Sequence, residues 1–259
     1  MKEIFNDYNS IADLWWSDDF GPTASLRYLI NPVRIQYFKK HIDTQYMSGH
    51  KGMKVLDVGC GGGFISEELS KFGLHVTGVD QSSESIRVAS EHASSSGLSI
   101  NYLCACGEDL PFNNGFFDMV FCCDVLEHVS DPCKVISEIS RVLKNGGWFF
   151  FDTINRTLKS WITSIYLMQR CPLTSLDVVN GHVWNKFIKP AELKSLMSKH
   201  GMTCESMRGI SLEQNLVSVL IGINQVKGGK ISYKELGQRI HFTDSNDLSC
   251  SYMGCAAKG

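Results

Sequence analysis

The chain has 259 residues, of which 43% are hydrophobic and 20% charged. That suits one large α/β domain or two small ones with a real core. The formal net charge of -2 excludes the chain-wide positive field that would advertise a nucleic-acid partner, and no segment reaches the apolar length of a membrane span. The 10 cysteines include no C-x-x-C pair and no zinc-ribbon spacing. They are therefore expected to be reduced thiols in a cytoplasmic setting, several of them acting as small hydrophobes within strands.

In chain order, the opening MKEIFNDYNSIADLWW reads as neither a signal peptide nor an Arg-rich transit peptide. Residues 1–50 read as a helical, aromatic-rich segment. Trp15 and Trp16 precede a turn at Gly21-Pro22, and Asn31-Pro32 opens a second helix along which Arg34, Phe38 and His41 are spaced.

Strands and helices then alternate, as in a parallel sheet. Lys54–Val58 is a short apolar strand running into Gly-Cys-Gly-Gly-Gly, followed by the helix FISEELSKF. LHVTGVD is a second strand ending at Asp80, with the helix SESIRVASEHASSSG after it. SINYLCAC and FDMVFCCD give strands three and four. A helix from about Asp131 to Leu143 leads through Lys144-Asn145-Gly146-Gly147 to strand five, WFFFDTI. Strands this continuously hydrophobic are covered on both faces.

The rhythm breaks at about 156–187, where SWITSIYLMQRCPL is apolar with bases at its edges. That stretch is an extra core helix, a cap over an apolar substrate, or a membrane-facing element. FIKPAELKSLMSKHGM restores a helix opened by Pro190. Residues 204–209 suit a sixth strand, SCSYMGCAAK an antiparallel seventh, and the stretch between, around Lys227–Lys230, a loop. The expected architecture is α/β, with seven mostly parallel strands, helices on both faces and an antiparallel last strand, in a single unit spanning 1–259.

Two places concentrate chemistry. The first is Asp57-x-Gly59-x-Gly61-x-Gly63, where glycines let the backbone turn sharply and approach a ligand, and where the next helix presents free N–H groups. Phe64 stands where a dinucleotide fingerprint needs its third glycine, so the fit to NAD or FAD is poor. Asp80, closing the next strand, is where a ribose-binding acid belongs in this topology, although it would also serve as a helix cap.

The second place is Asp124-Val125-Leu126-Glu127-His128 at the carboxyl end of strand four. Positions three and four apart share a face in a helical turn. Asp124, Glu127 and His128 would then surround one cation, Mg²⁺ by the carboxylates, with Mn²⁺ or Zn²⁺ admitted by the imidazole. The alternatives are local structure or a base role for His128. His182 and His241 are further candidate bases, each also readable as a solvated or core histidine.

The loop and its acid resemble the S-adenosylmethionine loop of class I methyltransferases, in which Asp57 would organise the methionine ammonium. More narrowly, the tryptophan pair at 15–16, INPVR at 30–34, VLDVGCGGG at 55–63, DVLEHV at 124–129, TINRTLKSW at 153–161 and KFIKPAEL at 186–193 recur together. This resembles the ubiquinone biosynthesis O-methyltransferases. The resemblance implies a Rossmann-like class I methyltransferase fold. It implies S-adenosyl-L-methionine held by Arg34 (on the methionyl carboxylate), Gly59, Asp80 and Cys123, with the acidic turn at Glu108 near the adenine.

It further implies a divalent metal at Asp124, Glu127 and His128, though the family more often carries Glu at the first position. The acceptor it implies is a small phenolic molecule, lipidic in character, delivered through a cap associated with the inner face of a membrane. The competing readings are a C- or N-methyltransferase on another small molecule, a non-catalytic S-adenosylmethionine-binding protein, or an NAD-dependent oxidoreductase. Neither sequence nor resemblance fixes the oligomeric state.

Overall fold

The computed structural model describes residues 8–47, 49–171 and 182–259. Its single sheet contains β1 (Lys54–Val58), β2 (His75–Asp80), β3 (Asn101–Cys104), β4 (Phe117–Cys122), β5 (Leu143–Ile154), β6 (Met202–Leu212), β7 (Phe242–Ser245) and β8 (Ser251–Lys258). The spatial order is β3-β2-β1-β4-β5-β8-β6-β7. The first five strands are parallel, and the last three join antiparallel. The chain reverses its direction of winding between β1 and β4, and the crevice at that switch is where ligands bind in open α/β sheets.

The strands encode a two-sided core. In β5, Phe149 and Phe151 enter one hydrophobic cluster together with Leu56, Val120, Ile136 and Ile139. Phe150, one residue out of phase, joins Phe38, Val55 and Phe121 on the opposite face. A period of two thus delivers three consecutive phenylalanines to two layers, each burial stabilising by about 1.5–3 kcal/mol.

The helices are α1 (Gly21–Ser25), α2 (Asn31–Gln45), α3 (Phe64–Lys71), α4 (Ser83–Ser95), α5 (Pro132–Val142), α6 (Leu158–Ser160), α7 (Pro190–Lys199), α8 (Leu216–Lys227) and α9 (Tyr233–Arg239). Their starts follow capping chemistry. Ser82 accepts from the Ser85 N–H, and Asp131 accepts from Lys134 ahead of Pro132.

Three features depart from the sequence expectation. The sheet has eight strands rather than seven, because β7 is a four-residue edge strand, FTDS, with no apolar run to announce it. The stretch taken as a loop between the last two expected strands holds α8 and α9, joined through Gly228 and Gly229. In α8 the sequence LVSVLIGINQV has almost no polar face, so its periodicity is mute. Lys144–Gly147 is an irregularity inside β5, where the register against β4 shifts between Phe117 and Met119, rather than a turn before it.

Within the cap, Trp161–Arg170 forms a π-helical segment continuing α6, while 172–181 lies outside the described residues. No helix among the described residues is long and apolar enough to cross a membrane.

Candidate active site

The glycine loop joins β1 to α3. The N–H groups of Gly59 and Cys60 donate to the Val79 carbonyl at 2.7 and 3.0 Å, which folds the loop back on β2. Gly59 has φ +71°, and a Cβ there would lie 2.2 Å from a Val125 methyl. The glycine is required by both backbone conformation and space. Asp57 is buried under the loop and accepts from Ser66 Oγ at 2.6 Å. Burial pushes its carboxyl up to about 6 against the opposing Ser66 hydrogen bond. Asp80 accepts from the Gly61 N–H at 2.9 Å and from the Ser82 N–H at 2.8 Å. It therefore braces the loop and the start of α4, and burial raises its pKa.

Residues 8–20 lie over this loop as a strap, a use of the N-terminal aromatics that sequence reading missed. Trp15 Nε1 donates to Ser85 Oγ and Trp16 Nε1 to the Gly62 carbonyl, both at 2.9 Å. A Cβ at Gly62 would meet Trp15 at 2.5 Å, so the absence of a side chain there admits the strap. Tyr8 stacks on Trp15 and meets His128 edge-on, with ring centroids 6.3 and 6.4 Å apart. Burial, then Glu127, Asp124 and Asp80, raise the Tyr8 hydroxyl pKa. The ring thus lies within the field of acids from both sides of the switch point.

Arg34, in α2, is buried. Its guanidinium forks onto Asp124 at 2.5 and 2.6 Å, pairs with Asp152 at the end of β5 and donates to Asn31 Oδ1 at 3.0 Å. Burial opposes the charge, but the two carboxylates outweigh it and raise the guanidinium pKa. Asp124 is the only described non-glycine residue with positive φ, at +55°, and its N–H donates to Asp152 Oδ1 at 2.9 Å. Burial would raise the Asp124 pKa, yet Arg34 holds it below the ordinary range. Burial keeps the Asp152 pKa high. The expected partner of Arg34 was a methionyl carboxylate. In the structure these two aspartates occupy the fork. Asp152 went unnoticed in the sequence, although a lone acid inside the apolar run FFFDTI was its signal.

The expected cation trio is not brought together as a trio, because the strained turn at Asp124 aims its carboxylate at Arg34. The grouping that forms is Glu127, His128 and His182, whose ligand atoms lie within 4.8 Å of one another. Glu127 is buried with Oε2 accepting from Thr153 Oγ1 at 2.8 Å, while its buried Oε1 has no hydrogen-bond partner. Burial, then Asp124 and Asp152, raise the Glu127 pKa. Burial pushes His128 down to about 4, with neighbouring His182 adding to the effect, and burial also lowers His182. Two neutral imidazoles beside an orphaned carboxylate oxygen fit a divalent cation: the oxygen gains a partner and the acid its charge.

The remaining candidates separate. Cys123 is buried at the end of β4, its thiol pushed well up by burial. Glu108 sits in the turn after β3 and accepts from the Cys106 thiol at 2.6 Å. Arg141 of α5 pins that turn through the Leu110 and Phe112 carbonyls at 2.8 and 2.7 Å. His241 is exposed between α9 and β7.

Comparison with known proteins agrees with this fold. A family model described as a methyltransferase domain matches residues 56–151, from β1 to the end of β5. The chain is 38% identical over 211 residues to a ubiquinone biosynthesis O-methyltransferase of Colwellia psychrerythraea, covering 78% of this chain and 83% of that one. The corresponding protein of Actinobacillus pleuropneumoniae is 38% identical over 213 residues, 78% and 85% covered. A solved SAM-dependent methyltransferase from Aquifex aeolicus shares the fold at 16% identity, with a TM-score of 0.59 over 98% of this chain and 99% of that chain. The chain therefore belongs to the family of ubiquinone biosynthesis O-methyltransferases, and it is an S-adenosylmethionine-dependent methyltransferase.

Proposed function

We propose that this enzyme methylates a catechol or phenol hydroxyl of a polyprenylated quinone precursor. The observation that carries the proposal is the 38% identity, across four-fifths of each chain, to proteins of that named activity. The acceptor side of the site agrees with it: Glu127, His128 and His182 form a polar cluster beside the switch-point crevice, at the carboxyl end of the sheet where the cofactor loop also lies.

S-adenosylmethionine, when bound, supplies a methyl group already activated by its sulfonium. The chain's part is to orient the acceptor oxygen in line with that methyl and to exclude water. In this proposal Gly59, Gly61 and Gly63 let the loop approach the nucleoside. Asp57 answers the ammonium, and Asp80 accepts the ribose hydroxyls with lone pairs not spent on Gly61 and Ser82. Glu108 lies near the adenine, and Cys123 lines the cofactor site. Arg34 reaches the methionyl carboxylate only by sharing its fork with Asp124 and Asp152.

The strap residues Tyr8, Trp15 and Trp16 exclude water from above. His128 is the group placed to act on the acceptor hydroxyl. As a neutral imidazole it can take the proton directly or hold, with Glu127, a divalent cation whose charge lowers the hydroxyl's pKa.

The cap supplies apolar surface. Leu158, Ile162 and Tyr166 follow one another at helical spacing and are 71%, 42% and 48% exposed. Such a stripe suits contact with prenyl chains at a bilayer surface, where the acceptor resides.

The test is mass spectrometry of the product formed from short-prenyl catechols, before and after chelation. We expect a methyl ether on the ring oxygen, activity lost on chelation, and activity restored by Zn²⁺ or Mn²⁺. Methylation of ring carbon, or no turnover of any catechol by protein that binds S-adenosylhomocysteine, would reject the acceptor assignment.

A further inference from the structure

The acceptor-side cluster departs from the pattern its sequence motif suggests, and the departure is specific. The motif offers Asp124, Glu127 and His128. Asp124 is withdrawn by a two-point hydrogen bond to buried Arg34, while His182, contributed by the cap far along the chain from His128, stands with its ring centroid 5.1 Å from that of His128.

We propose that His182 supplies the third protein ligand of a divalent-cation site with Glu127 and His128, and that this site takes a borderline ion such as Zn²⁺ in preference to Mg²⁺. The proposal rests on the methyltransferase reading for its purpose, though not for its geometry.

Three observations support it. Glu127 is 1% exposed, and its Oε1 has no hydrogen-bond partner. An orphaned buried carboxylate oxygen is costly, and a cation removes the cost. Thr153 fixes the other oxygen at 2.8 Å, which leaves Oε1 as the coordinating atom. The ligand atoms lie within 4.8 Å of one another. Ligands each about 2.1 Å from one ion stand no more than about 4.2 Å apart, so only a small inward movement separates this grouping from a coordinating one.

The ligand set decides the ion. One carboxylate and two imidazoles match the three-ligand arrangement of catalytic zinc with an open position left over. Mg²⁺ prefers oxygen donors and retained water. The open position is where an acceptor oxygen would enter. Because His182 belongs to the cap, ion uptake also ties the cap to the sheet edge.

Co²⁺ is a spectroscopic substitute for Zn²⁺, and Mn²⁺ reports nitrogen ligands by electron spin echo. The full-length chain, stripped with chelator, should bind Co²⁺ with a visible ligand-field band, and the Mn²⁺ form should show two coupled imidazole nitrogens. His182→Ala should weaken Co²⁺ by about tenfold or more and remove one nitrogen coupling, with S-adenosylhomocysteine binding unchanged. Millimolar Mg²⁺ should fail to displace Co²⁺.

The assignment of His182 is overturned if the variant keeps wild-type Co²⁺ affinity and both nitrogen couplings. It is equally overturned if Asp124→Asn, in folded protein, loses as much affinity as His182→Ala. The ion preference is overturned if Mg²⁺ displaces Co²⁺ at comparable concentration. Intact nucleoside binding with no cation uptake by the wild-type chain rejects the cation site and leaves the methyltransferase reading standing.

Discussion

The two ends of the switch-point crevice are built on different principles. The proposed cofactor end is local: Asp57, the three glycines and Ser66 fall within ten residues of strand, loop and helix start, and Asp80 closes the next strand. The proposed acceptor end is assembled from afar. Arg34 comes from α2, Asp124 from the end of β4, Asp152 from β5 and His182 from the cap. A locally encoded site is specified as soon as its own backbone folds. A dispersed site exists only when the whole sheet edge is complete, and its electrostatics hold it together. The two halves should therefore fail differently when struck.

The largest effect should come from the dispersed half. Arg34→Ala leaves Asp152 and Asp124 facing one another with no cation between them. Removing one member of a buried ion pair costs about 3–5 kcal/mol, and here two acids lose the same partner. We expect the unfolding free energy from urea melts to fall by that much at neutral pH, with partial recovery in Arg34→Ala/Asp152→Asn. A double variant no more stable than the single would show that the acids are not the source of the cost.

Gly59→Ala strikes the local half. A φ of +71° and a Val125 methyl 2.2 Å from the new Cβ force the loop to move. The left-handed conformation alone costs an L-residue roughly 1–2 kcal/mol. S-adenosylhomocysteine affinity should drop by about tenfold or more, read by calorimetry, while Co²⁺ uptake at the acceptor end stays as it was. Parallel loss of both would mean that the two ends are one cooperative unit.

Trp15→Ala tests the strap that overlies the cofactor end. The indole packs on Gly62 and donates to Ser85, and its removal should speed S-adenosylhomocysteine release by several-fold, with a smaller change in association. The stability loss should be about 1–2 kcal/mol for a half-buried indole with one hydrogen bond. An unchanged release rate would make the strap a structural brace only.

The same contrast explains what the sequence could disclose. The strands of the parallel half were readable because continuous apolar runs such as KVLDV and FDMVFC have one explanation in an α/β chain. The glycine loop was readable because its constraint is local backbone geometry. β7 and α8 were not, since FTDS carries no hydrophobic pattern and LVSVLIGINQV carries too much. At the site, spacing brought Asp124, Glu127 and His128 into one phrase, but spacing cannot report a positive φ at Asp124 or a guanidinium arriving from residue 34. Asp152 and His182 reach the cluster only through tertiary structure, one by strand register and the other by the fold of the cap.

The gentlest probe of the cofactor end is pH, because Asp57 gives opposite signs in two measurements. Its carboxyl is pushed up to about 6 in the folded protein by burial, from an ordinary value of 3.8. The folded chain thus binds more protons than the unfolded chain between those values, and stability without ligand is greatest below about 4. It falls as pH rises through about 6, by up to roughly 3 kcal/mol for this group alone.

The ammonium of S-adenosylmethionine favours the ionised carboxylate, so affinity should move the other way. It should weaken by no more than about tenfold per pH unit below 6 and level off above it. Asp80, also raised by burial, reinforces the sign, since its ionised form is the better acceptor for ribose. Asp57→Asn should flatten both curves, leaving the slope that Asp80 contributes to binding. Calorimetric titrations with S-adenosylhomocysteine at pH 5, 6 and 7, paired with urea melts in the same buffers, distinguish this from general acid weakening. If affinity and stability fall together on acidification, Asp57 is not the titrating group that faces the ammonium.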